Sequence, residues 1–74
     1  LSYNLQRELE GLPQRLEELE AALEDLQAQV ADASFFTQSH DYTQKVLAEL
    51  SAAEKALEEA FERWEYLESL KNGA

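Results

Sequence analysis

The sequence predicts an all-α fold, an antiparallel two-helix coiled-coil hairpin, and three observations carry that prediction. Leu5, Leu9, Leu12, Leu16, Leu19, Leu23, Leu26 and Val30 succeed one another at alternating steps of four and three residues, the heptad spacing that keeps one narrow apolar stripe turned toward a partner helix. Val46, Leu50, Ala53, Leu57, Ala60, Trp64 and Leu67 resume the alternation after an interval that lacks it. Folded back on the first ladder, the second places Val46 against Val30, Ala53 against Leu23, Ala60 against Leu16 and Trp64 against Leu12. Large side chains thus face small ones, as close packing requires. Gly11 is expected to leave the space that Trp64 fills. The alanines would leave gaps if the second helix paired with a copy of itself, so pairing within the chain is preferred.

The first element begins at Ser2, whose hydroxyl can cap a helix, although no capping box follows it. Gly11-Leu12-Pro13 is a break signal inside the first ladder. Pro13 has no N–H for the Leu9 carbonyl and disfavours helical geometry at Leu12. Because Leu9, Leu12 and Leu16 stay in phase, the expectation is a short helix over 3–11, a tight kink or break at Gly11–Pro13, and a second helix over 13–31 with proline in its first turn. Beyond Pro13 the run of Leu, Glu, Gln and Ala favours helix throughout.

The interval 32–41 collects Asp32, Ser34, Thr37, Ser39 and Asp41, whose short polar side chains compete for backbone groups and favour turns. It is predicted as the connecting loop. At least one of Phe35 and Phe36 is expected to fold over the open end of the seam; the other reading is an exposed aromatic tip that docks on a partner or stacks on a base. Ser39, or Asp41 with Gln44, is placed to cap a helix over 42–70 that stops at Asn72-Gly73.

Composition narrows the functional classes. The 74 residues make one small domain, with no core deep enough to enclose a substrate. There is no cysteine, hence neither a disulfide framework nor a thiolate metal site. No apolar stretch is long enough to cross a bilayer. The chain opens at Leu1 without a charged leader, and the expectation is a cytoplasmic piece of a longer protein. Sixteen acidic against six basic residues give a net charge of −10, which repels nucleic acid and anionic lipid at long range. An isolated hairpin of this size is expected to be modestly stable, and weak self-association or docking on a parent domain would help it.

Carboxylates such as Glu17, Glu18, Glu20, Glu24 and Asp25 fall on a solvated helix face, where general acid–base chemistry lacks its desolvated pocket. His40 is the single imidazole, too isolated for a metal site. No glycine-rich phosphate loop is present. No catalytic, cofactor or metal residue is therefore assigned. The basic residues are few enough to read one by one. Arg15 and Arg63 occupy equivalent flanking positions of the two ladders, so the register sets their guanidinium groups side by side, with Arg7 and Lys71 near the same end. One reading is ordinary helix-surface pairing, Arg63 with Glu59 and Arg15 with Glu18. The other is a phosphate-contacting edge with Tyr66 or Trp64 adjacent for stacking. Lys45 and Lys55 lie toward the tip.

Leu1-Ser2-Tyr3, Gln6-Arg7-Glu8-Leu9-Glu10, Leu12-Pro13, Ala31-Asp32-Ala33-Ser34-Phe35-Phe36 and Arg63-Trp64-Glu65-Tyr66-Leu67-Glu68 together resemble the C-terminal domain of ABC-F ATPases, nearest the Uup branch. The resemblance implies a hairpin that follows the second of two ATPase domains in a cytosolic bacterial protein. ATP and magnesium would belong to that parent and no cofactor to this domain. It implies a non-catalytic accessory that binds nucleic acid, DNA or ribosomal RNA, weakly and salt-sensitively, with the parent's ATPase domains as further partners and no membrane. Arg7 and Arg63 match motif positions, with Tyr3 and Trp64 beside them, although Trp64 is also expected in the core. The competing reading is a structural or regulatory arm that docks on the ATPase domains or another protein and touches no nucleic acid.

Overall fold

The computed structural model describes residues 1–73. Two long helices, α1 (Tyr3–Ala31) and α2 (His40–Lys71), are joined by a short segment containing one turn of 3-10 helix, Phe35–Thr37. They lie antiparallel in a rod of 52 × 18 × 16 Å. The predicted fold class stands, and the register stands where the core tests it: Leu9 and Leu12 pack with fully buried Leu67, and Leu5, Trp64 and Leu70 close around them.

Of the kink or break expected at Gly11–Pro13, no break forms. Helix α1 runs through Pro13 without interruption, so the separate helices anticipated over 3–11 and 13–31 are one. An interior proline costs about 3 kcal/mol. Against that, Leu9, Leu12 and Leu16 are all buried, each contributing roughly 1.5–3 kcal/mol. A break between Leu9 and Leu16 would slip their phase and lose part of that burial, so continuity wins. Gly11 does not make room for Trp64 either: a Cβ built on it meets nothing within 4 Å. Its place is simply the solvent side of a helix.

Hydroxyl caps set both starts. Ser2 Oγ accepts from the Leu5 N–H at 3.2 Å and Ser39 Oγ from the Tyr42 N–H at 3.2 Å. Of the two caps considered for the second helix Ser39 is used, so α2 begins at His40 rather than 42. At its far end the Asn72 N–H bonds the Glu68 carbonyl and Gly73 turns left-handed at φ +80, the conformation glycine adopts without a Cβ penalty.

At the tip Phe35 is 3% exposed while its neighbour Phe36 is 70% exposed. The Phe35 ring caps the seam, with Phe36 edge-on at 4.8 Å and Tyr42 tilted at 6.3 Å. Asp32 holds the turn by accepting from the Ser34 N–H at 2.8 Å and the Ser34 hydroxyl at 2.6 Å, which keeps its carboxyl below the usual aspartate range. Buried Thr43 extends the seam one layer beyond Val46 and donates its hydroxyl to the His40 carbonyl. Phe35, Thr43 and Val46 close the seam at the tip, and Leu9, Leu12, Leu16, Leu19 and Leu67 are buried toward the chain ends, whereas Leu23, Leu26, Leu50 and Leu57 between them are only partly buried.

Candidate nucleic-acid interface

Arg7, Arg15 and Arg63 all lie on the half of the rod that carries the chain ends, and Lys71 stands in the last turn of α2, where a cation complements the helix dipole. Their surroundings differ. Arg7 donates from Nη1 to the Tyr3 hydroxyl at 3.1 Å, one turn away on the same helix, and its guanidinium lies 5.9 Å from the centre of that ring. Arg15 makes a loose 4.0 Å ion pair with Glu18, both side chains more than half exposed. This is the pairing expected for it.

Arg63 is not paired with Glu59, which instead meets Lys55 at 4.0 Å. It reaches across the seam and grips Glu8 with two hydrogen bonds, Nε to Oε2 at 2.6 Å and Nη2 to Oε1 at 2.9 Å. This planar fork on a carboxylate is the strongest geometry open to an arginine. Chiefly through those bonds the Glu8 carboxyl is held below the ordinary glutamate range and the Arg63 guanidinium is pushed up. On its other side the guanidinium lies 5.5 Å from the centre of the Tyr66 ring.

The guanidinium groups of Arg15 and Arg63 consequently do not stand side by side. Their carboxylate partners, Glu18 and Glu8, are ten residues apart on α1, about 15 Å along its axis, and the two side chains diverge. The edge is a series of separate cations, two of them laid against tyrosines. Tyr3 is 73% and Tyr66 53% exposed, so both rings are open to a stacking partner, whereas Trp64 is half-buried in the seam.

Glu8 was not singled out by its sequence neighbourhood. The register carried only part of the signal: Glu8 and Arg63 occupy the same flanking position of their heptads and so share one side of the seam, but the residue directly opposite Arg63 is Arg15, and Glu8 stands one heptad further toward the chain ends. Among the described residues no three His, Cys, Asp or Glu side chains gather to hold a metal ion, and no helix is long and apolar enough to cross a membrane.

Comparison with known proteins gives this geometry its relatives. Over 73 residues the chain is 75% identical to the ATP-binding protein Uup of Escherichia coli (strain K12), covering 99% of this chain and 12% of that protein. It is 57% identical over 72 residues to the ATP-binding protein Uup of Haemophilus influenzae, covering 97% of this chain and 11% of that one. The chain thus spans little more than a tenth of the length of these relatives. A solved structure described as "The C-terminal domain of the Uup protein is a DNA-binding coiled coil motif" matches with a TM-score of 0.92 at 74% identity, covering 100% of this chain and 87% of that one. Residues 1–69 match the ABC transporter C-terminal domain family, and with nearly the whole length of the hairpin covered the conclusion is plain: the chain belongs to the ABC transporter C-terminal domain family.

Proposed function

We propose that this hairpin is a non-catalytic accessory domain that contributes nucleic-acid binding to a Uup-like ATPase, with DNA as the first target to test and ribosomal RNA as the second. The observation that supports it most is the solved domain, 74% identical over the whole of this chain, that is described as a DNA-binding coiled coil. The chemistry of the terminal half fits. Arg7, Arg15, Arg63 and Lys71 can meet phosphates, and exposed Tyr3 and Tyr66 offer ring faces to bases. ATP and magnesium belong, in this reading, to the ATPase domains of the parent, and the protein works in the cytoplasm.

A specific observation favours a second reading. Arg63 already commits Nε and Nη2 to the Glu8 carboxylate, and the chain carries a net charge of −10, so a phosphate must share the guanidinium with Glu8 or displace it, in either case against a repulsive field. A structural arm that docks on the ATPase domains would need no such displacement.

Titration of the chain into labelled duplex DNA and structured RNA at two salt concentrations separates the two. The nucleic-acid reading expects saturable binding that weakens with salt, with a log–log slope of magnitude no greater than about 4 if four cations each meet one phosphate. Binding to neither polymer at low salt would leave the docking arm. Reversing Arg15 and Arg63 together to glutamate should weaken the complex and flatten the slope, and an unchanged complex would remove those two residues from the interface.

A further inference from the structure

The flank of the seam opposite Arg63 has a different character. Pro13, Leu16, Phe61 and Trp64 line an almost wholly apolar cleft of about 160 Å³ between the helices, in which Phe61 remains 40% exposed. The heptad register brings Pro13 and Phe61 face to face, with Glu20 opposite Glu54 toward the tip and Glu68 toward the chain ends. One row further out lie Glu10 and Glu17 on α1 and Glu58 and Glu65 on α2. None of the six basic residues falls in these rows, and none of these carboxylates joins an ion pair among the described residues. The folded chain therefore carries an apolar hole in an uncompensated acidic frame, backed by the face that holds Arg63 and Arg15.

We propose that this cleft is the docking site for a basic protein segment, rich in lysine and arginine, that presents one large apolar side chain to the pocket of Pro13, Leu16, Phe61 and Trp64. The cleft has about the volume of a single large side chain, which is how anchor residues bind at interface centres. The frame selects the occupant by charge. A cationic segment relieves like-charge opposition such as that of Glu20 and Glu54, which otherwise costs the folded state. Phosphates are repelled from the same frame, so nucleic acid is kept to the opposite flank. A second copy of this chain docked by the same flank would bring acid against acid. The inference stands independently of the nucleic-acid reading, because it uses none of the same residues.

Trp64 is the only tryptophan in the chain and it lines the cleft, so its fluorescence reports occupancy. The probes are a synthetic lysine–alanine peptide with one central phenylalanine and the same peptide with alanine in that place, each titrated into the 74-residue chain. The phenylalanine peptide should shift Trp64 emission and bind at least about tenfold tighter than its alanine counterpart, as burial of one aromatic side chain requires. In Phe61→Ser, whose helicity is checked by circular dichroism, that advantage should fall to within about twofold. The double reversal Glu17→Lys with Glu65→Lys leaves the cleft in place and should weaken binding of the phenylalanine peptide. Equal binding of the two peptides, an unmoved Trp64 emission, or an advantage that survives Phe61→Ser would each overturn the proposal.

Discussion

The bidentate contact between Glu8 and Arg63 has two measurable consequences. Because the contact lowers the Glu8 carboxyl in the folded state, its stabilisation is present at neutral pH and is lost as pH falls through that lowered value. Glu8→Gln should therefore melt below the parent at pH 7, and the gap in melting temperature should close as the solution is acidified past the ordinary glutamate range. The same substitution releases Arg63 and removes a negative charge. Binding to duplex DNA at low salt should tighten several-fold and the salt slope should steepen by about one phosphate. If Glu8→Gln leaves DNA affinity unchanged, Arg63 is a clasp between helices and not a phosphate contact. This clasp was only half legible in the sequence. The ladders gave the helices' register, but a long side chain reaches several residues up or down its partner, and Arg63 bonds Glu8 through Nε and Nη2 while Glu59 meets Lys55. Phe35 and Phe36 were equally undecidable as neighbours of one type, since a single turn of 3-10 helix points one inward and the other out.

At the scale of the element, what the sequence announced was local. Ser2 and Ser39 cap by bonding residues three further along, Gly73 ends α2 by its own backbone freedom, and the leucine ladder encodes its face at every turn. The misreading at Pro13 was of the opposite kind, because the continuity of α1 is enforced from α2 by Leu67 packing against Leu9 and Leu12. Helix α1 therefore carries two avoidable costs in its first half. Gly11 lies in a helical conformation with open space where a Cβ would stand, so Gly11→Ala should stabilise the chain by about 0.5–1 kcal/mol, seen as a higher melting temperature. Leu67 is 0% exposed at the junction of this packing, and Leu67→Ala should cost about 2–5 kcal/mol. Circular dichroism should show much of the helix lost at 25 °C, since a hairpin of this size has little stability in reserve. A variant that melts like the parent would mean that the seam is held mainly at its tip.

For the molecule as a whole, charge and shape decide behaviour. With sixteen acidic residues against six basic, self-repulsion opposes the compact state, and added salt should raise the melting temperature by screening it. The same salt should weaken any DNA complex, so the two curves should run in opposite directions over one titration. A melting temperature that falls with salt would show that pairs such as Glu8–Arg63 outweigh the net repulsion. The all-α class and the antiparallel pairing were legible because both depend on a repeat sampled along the chain. That the flank with Glu10, Glu17, Glu20, Glu54, Glu58 and Glu65 holds no cation, while Arg15 and Arg63 lie on the other, is visible only once the two helices are laid together, since each helix alone mixes them. Both described ends, Leu1 and Gly73, meet at the base of the rod, and exposed Phe36 stands at the other extremity of its 52 Å length. Anything joined covalently to either end holds the hairpin as a lever by its short arm: a tilt of a few degrees at the base sweeps the Phe36 ring through several ångströms, and a force met at the tip returns to the base as torque.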